Sequence, residues 1–210
     1  ESTQSKFSYG SLIIGIYWMA TLTAYYDFDS NEIHTFTGTY ISTTPTLINL
    51  HNPDNTQRVE YRGVFKYNLY GYLSSGTVKS ATVYDNGIKH FMVTGSYDAP
   101  TLSYYANQED SDFLKYIFSG NDTFNGSSGD DWLGFEKIGA GNDVINGNGG
   151  DDFIMTNSDF TCKVNGGAGK DDIFSIGNKD RLTGGKDADL FEIYDHSQTI
   201  ILSLIHIWRC

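Results

Sequence analysis

Seven aspartates stand at one place in a nine-residue pattern: Asp122, Asp131, Asp143, Asp152, Asp171, Asp180 and Asp189. Two residues after each comes a large apolar side chain, in turn Phe124, Leu133, Ile145, Ile154, Ile173, Leu182 and Phe191. Two residues before each stands Gly120, Gly129, Gly141, Gly150 or Gly169, giving way to Asn178 and Asp187 in the last two units. The units have the form G-G-x-G-x-D-x-U-x, with U apolar, and start at residues 117, 126, 138, 147, 166, 175 and 184. Gly126 and Gly147 open two of them, and the full Gly-Gly pair occurs at Gly166-Gly167 and Gly184-Gly185. Glycine lets backbone carbonyls turn inward without a Cβ in the way, and aspartate adds a negative charge on a short stem. A loop of that kind offers a ring of oxygen ligands, which suits a hard dication such as Ca²⁺ and needs no thiol or imidazole. The apolar residue then points inward from a very short strand, because alternate strand residues face opposite sides.

Segments such as GSSGDDWLG, GNGGDDFIM and GGAGKDDIF resemble the RTX, or haemolysin-type, calcium-binding nonapeptide repeats over roughly residues 117–192. The resemblance implies an all-β fold with a right-handed parallel β-roll (an RTX solenoid) at the C-terminus, two nonapeptides forming one turn. Ca²⁺ would lie between stacked loops, held by the seven aspartates and by carbonyls near Gly120, Gly126, Gly129, Gly141, Gly147, Gly150, Gly166, Gly167, Gly169, Gly184 and Gly185. The expected load is three to four ions. The resemblance further implies a secreted protein, exported unfolded through a type I secretion apparatus and folding on calcium outside the cell.

That geometry can be carried onto the gaps. Phe135–Lys137 lengthen one connection, and Asn157–Asn165 make a degenerate nonapeptide whose sixth position is Cys162 and whose inward residue is Val164. Loops starting at 126, 147, 166 and 184 are then expected on one side, and those at 117, 138, 157 and 175 on the other. The first side carries Asp131, Asp152, Asp171 and Asp189, with up to three inter-loop sites. On the second, Asp122 and Asp143 form the intact pair, and Cys162 is expected to leave a gap. A lone Gly/Asp match would be a turn-rich linker, and a metal-free roll would set neighbours such as Asp130-Asp131 and Asp151-Asp152 against one another.

The elements ahead of the repeats read as an antiparallel β module over residues 1–97, then a short helical linker or cap over 98–116. Val78–Tyr84 and Ile88–Thr94 flank Asp85-Asn86-Gly87, a hairpin signal because both turn residues accept positive φ. Tyr61, Phe65, Tyr67 and Leu69 alternate with Arg62, Lys66 and Asn68 as a half-buried strand would. Leu12–Ala24 is short and broken by Gly15, which reads as buried strand rather than membrane span. Phe113, Tyr116 and Ile117 recur at helical spacing, so Glu109–Phe118 is expected to form a helix, N-capped by Ser111, over the open end of the roll. The hairpin, helix and first repeat loosely resemble the leader of many bacterial RTX proteins.

Composition narrows the function classes. The formal charge of -12 would repel nucleic acid and anionic membranes. Residues 117–192 hold 14 of the 26 acidic side chains and 15 of the 23 glycines, whereas 14 of the 15 tyrosines precede them. Cys162 and Cys210 form neither a disulfide framework nor a zinc site. His34, His51, His90, His196 and His206 show no HExxH pairing, and Gly126-Ser127-Ser128-Gly129 falls inside a repeat loop rather than in a nucleophile elbow. Asp27, Asp29 and Glu32 read as a solvated loop. The tyrosines could line a face that binds a surface glycan or protein, though at this density they also serve as strand and core residues.

LSLIHIWRC reads as a translated sequencing adapter, so residues 199–210 are expected to be non-native, with the roll spanning 117–198 and the N-terminus cut from something longer. Two functions follow. One is an extracellular, calcium-dependent, adhesin-like module without catalysis. The other is the secretion and stability domain of a larger secreted hydrolase, a protease, lipase or polysaccharide-modifying enzyme.

Overall fold

The computed structural model describes residues 19–30, 33, 39–107, 110–134, 141–156, 161–177, 179–194 and 198–202. The expectations for Leu12–Trp18, Glu32, His34, Phe135–Lys137, Asn157–Phe160, His196 and the tail from Ser203 lie outside these residues.

β1 (Thr21–Ala24) comes first, and an antiparallel meander follows it: β2 (Thr39–Thr43), β3 (Leu47–His51), β4 (Gln57–Tyr67), β5 (Leu73–Asp85) and β6 (Ile88–Asp98). The hairpin between β5 and β6 turns on Asn86 and Gly87 at φ of 48° and 81°, as their residue types anticipate. The alternation read through Leu69 stops earlier, because β4 ends at Tyr67. Asn68 accepts hydrogen bonds from the amides of Tyr70 and Tyr72 at 2.9 and 3.0 Å, so the chain turns and leaves Leu69 fully exposed. Two helices follow, α1 (Ala99–Tyr105) and α2 (Asp110–Ile117). Asp98 caps α1 by accepting from the Thr101 amide at 3.0 Å and its hydroxyl at 2.6 Å. The helices pack on each other and α1 lies on β5 and β6, with Tyr105 stacked on Tyr116 at 4.6 Å.

The repeats build two parallel ladders. One holds β7 (Thr123–Asn125), β9 (Val144–Gly149), β11 (Lys163–Ala168), β13 (Arg181–Lys186) and β15 (Ile200–Ile201). The other holds β8 (Trp132–Gly134), β10 (Phe153–Met155), β12 (Asp172–Ser175) and β14 (Leu190–Ile193). Register is strict within each ladder: Leu133, Ile154, Ile173 and Phe191 align on one side, and Phe124, Ile145, Val164 and Leu182 on the other. The expected two-sided β-roll is therefore present, with about three turns. Its interior is the column of eighth-position side chains, of which Leu133, Ile145, Ile154, Ile173 and Leu182 are inaccessible to solvent or nearly so. Each contributes about 2–3 kcal/mol of transfer free energy.

β1 lies between the two halves, antiparallel to β6 and parallel to β7. The meander and the first ladder thus form one 11-stranded sheet, and one apolar core runs from Ala20 to Leu182. The helix expected over Glu109–Phe118 is present as α2, which begins at Asp110 and so holds Ser111 within it rather than at its N-cap, but the chain that hydrogen-bonds to the first coil is the segment Ala20–Asp29. Leu22 aligns with Phe124, and Asp29 bridges Trp132 on the other side. This lead-in coil has no repeat signature. Among the described residues no helix is long and apolar enough to cross a membrane.

Candidate metal centre

The strand registers bring the sixth-position residues of successive coils into two rows. On the β8 side the backbone amide of Asp131 donates to Asp152 Oδ1 at 2.9 Å, Asp152 to Asp171 at 3.1 Å, and Asp171 to Asp189 at 3.2 Å. On the β7 side Asp122 donates to Asp143 Oδ1 at 2.9 Å. The lead-in coil starts both rows, through the amides of Phe28 to Asp131 and Ala20 to Asp122. Each of these carboxylates therefore spends one oxygen on the coil before it. The second oxygens of Asp122, Asp152 and Asp171 are buried without a hydrogen-bond partner.

Burial without a counter-charge disfavours ionisation. It pushes the carboxyls of Asp122 and Asp152 up to about 7, against the hydrogen bonds that their Oδ1 atoms accept. Asp143 and Asp171 rise to about 6 for the same reason, and Asp131 and Asp189 are raised as well. Repulsion between neighbouring coils adds to the effect at Asp122, Asp152 and Asp171, and Asp187 of the same coil adds to it at Asp189. Buried orphan acceptors are costly; two of the three, on Asp152 and Asp171, lie on successive coils of one row and the third, on Asp122, lies in the other, and a cation would satisfy them.

The glycines border the places where such a cation could be held. A Cβ on Gly126 would fall 2.5 Å from both Asp131 Oδ2 and the Gly147 carbonyl. A Cβ on Gly147 would collide with Asp152 Oδ2 and the Gly166 carbonyl, and one on Gly166 with Asp171 Oδ2 and the Gly184 carbonyl. Each pairs a carboxylate oxygen with a carbonyl oxygen of the next coil, around a space that any side chain would fill. Three such pairs separate the four loops of this side. The fourth-position glycines add a second line of oxygens, since a Cβ on Gly150 would strike the Gly129 carbonyl and one on Gly169 the Gly150 carbonyl. Among the described residues no group of three or more His, Cys, Asp or Glu side chains converges. Carboxylates come one per coil and carbonyls supply the rest, a hard, all-oxygen donor set that fits Ca²⁺ and not zinc.

The β7 side is built differently. Its units open with Ile117, Ile138, Asn157 and Ser175 instead of glycine. Ser175 occupies the place where glycine would leave the cradle open, and its hydroxyl donates to Asp180 Oδ2 at 2.7 Å. Thr156 Oγ1 donates to the same oxygen at 2.8 Å, and the Cys162 amide donates to Oδ1 at 2.7 Å. Asp180 is wholly buried with both oxygens held by protein donors. Sequence reasoning missed Thr156 and Ser175. The departure of Ser175 from glycine was the available signal, whereas Thr156 is the added residue between the units that start at 147 and 157 and is brought in by the fold.

Among the described residues the remaining candidates do not come together in one cluster. His51 Nδ1 lies 2.7 Å from the Asn52 carbonyl, and His90 sits against the rings of Phe28 and Phe91. Ser127 lies in the loop before β8, where its amide donates to Asp131 Oδ2 at 2.7 Å.

A family model described as RTX calcium-binding nonapeptide repeat (4 copies) matches residues 116–133 and 139–160. No curated protein and no solved structure matches the chain.

Proposed function

We propose, for a chain whose C-terminal part is an RTX calcium-binding β-roll, that calcium is the switch completing its fold outside the cell. The observation carrying this reading is the pairing of the partnerless oxygens of Asp152 and Asp171 with the carbonyls of Gly166 and Gly184. The ions would sit between loops on the β8 side, through Asp131, Asp152, Asp171 and Asp189, with a further one between Asp122 and Asp143. Asp180, satisfied by hydroxyls, would hold the fold without metal.

With dissociation constants of about 10⁻⁴ to 10⁻³ M, as in extracellular modules, tenfold excess calcium adds roughly 1.4 kcal/mol per site. Three or four sites then contribute about 4 to 6 kcal/mol, comparable with the net stability of a small domain. In a calcium-poor cytosol the roll would stay open, which suits export of an unfolded chain by a type I secretion apparatus. The antiparallel sheet would be the working part, an adhesin-like surface that binds a glycan or protein. Leu69, Tyr70 and Tyr72, exposed together at the turn between β4 and β5, support that reading. Circular dichroism and thermal melting of the full chain in calcium and in chelator test the switch: calcium should raise the melting temperature, and identical melts would overturn it.

A further inference from the structure

We infer that Asp27, which lies outside the repeats, closes one more calcium site at the N-terminal end of the β8-side row, between the lead-in coil and the loop Gly126–Asp131. This rests on the calcium reading of the repeats and extends it to a residue the nonapeptide pattern does not contain.

Along the row, the oxygen facing each fourth-position glycine is the fourth-position carbonyl of the coil before: Gly129 for Gly150, and Gly150 for Gly169. Gly129 itself has no repeat before it. The atom that a Cβ on Gly129 would strike is Asp27 Oδ1. A carboxylate oxygen thus stands where the next two coils place a carbonyl.

The backbone around Asp27 keeps the register of a true coil. The Phe28 amide donates to Asp131 Oδ1 at 2.6 Å, as the Asp131 amide does to Asp152, and the Trp132 amide donates to the Phe28 carbonyl at 2.6 Å, as Phe153 does to Asp131. Phe28 therefore occupies the sixth position and brings no charge there. Asp27 occupies the fifth, and its counterparts are committed elsewhere. Asp130 accepts from the Asp151 amide at 2.7 Å, and Asp151 from the Lys170 amide at 2.8 Å. Among the described residues Asp27 accepts no such bond. Its carboxylate is the uncommitted one in the series, placed against a glycine-lined oxygen site. An ion held there would tie the segment leading into β1 and the rest of the sheet to the first loop of the roll.

The test is Asp27→Asn in the full chain, read by calcium stoichiometry in equilibrium dialysis and by melting in chelator. The expected result is one fewer ion per chain, an unchanged melt in chelator, and a smaller rise in melting temperature on adding calcium. Asp29→Asn, two residues on, should leave the ion count as it is. An unchanged count for Asp27→Asn, or equal destabilisation with and without calcium, would overturn this site alone. A wild-type chain that takes up no calcium would overturn the reading beneath it.

Discussion

Replacing Asp152 with asparagine should stabilise the protein without calcium and weaken its response to calcium. The opposite signs come from the two oxygens of one side chain. Oδ1 accepts the Asp131 amide at 2.9 Å, and an asparagine oxygen can do the same. Oδ2 has no partner and lies beside the Gly166 carbonyl, where an amide nitrogen could donate. The substitution also removes a charge that burial and the carboxylates of Asp171, Asp131 and Asp130 oppose.

The size follows from the ionisation. The interval between 3.8 and about 7 corresponds to about 4 kcal/mol for charging Asp152 in the metal-free fold. Allowing half of that for relaxation leaves about 2 kcal/mol, or about 4–8 °C in melting temperature for a chain of this size. In saturating calcium the variant loses a charged ligand, and with it about 1.4 kcal/mol or more of linked stability at tenfold excess. Thermal melts of wild type and Asp152→Asn, each in chelator and in millimolar calcium, read both effects. If the variant melts lower in chelator by as much as in calcium, Asp152 is an ordinary structural hydrogen-bond acceptor and the calcium argument fails.

Three further outcomes follow from the same geometry. The buried aspartates have folded-state pKa values raised above the unfolded 3.8, so their penalty is absent below about pH 4, grows up to about 7, and is full above that. Metal-free protein should therefore melt higher at mildly acidic than at alkaline pH, with calcium affinity changing in the opposite direction; a flat profile in chelator would contradict the burial of these charges. Gly147→Ser places a hydroxyl beside Asp152 Oδ2, as Ser175 stands beside Asp180, and should reduce the calcium-induced rise in melting temperature; an unchanged rise would remove Gly147 from the cradle. Asp180→Ala strands the donors of Cys162, Thr156 and Ser175 and should cost on the order of 3 kcal/mol equally with and without calcium. A loss confined to calcium-loaded protein would make Asp180 a ligand instead.

Much of the roll was legible because a period fixes it. Once Asp131 and Leu133 define one unit, the pleat and the spacing dictate which side Asp152 and Ile154 occupy, and the strand registers agree. The Asn86-Gly87 hairpin was legible for a local reason, two residues that tolerate positive φ. The lead-in coil was not, since Ala20 and Phe28 are copied nowhere and their partners Asp122 and Asp131 lie 102 and 103 residues away. Nor was the committed state of Asp180, whose donor Thr156 is 24 residues distant and belongs to no motif. Leu69 misled because alternation outlasts the strand, whereas the side chain of Asn68 decides where the strand ends.

The lead-in coil also sets the direction in which the roll should come apart. In a stack of repeats each coil rests on its neighbours, so an end without a partner is the weak point. Here the first coil is paired to β1, which is paired to β6, so that end is continuous with an antiparallel sheet needing no metal. Removing calcium should therefore leave β7 and β8 the longest protected and free β14 and β15 first. Hydrogen exchange in chelator, resolved by peptide, should show protection falling from Thr123 towards Ile193. Uniform loss across the four strands would mean that the roll opens as one unit and that β1 does not template it. Faster exchange at Thr123–Asn125 than at Arg181–Lys186 would reverse the argument, making the junction with the sheet the weakest rung rather than the anchor.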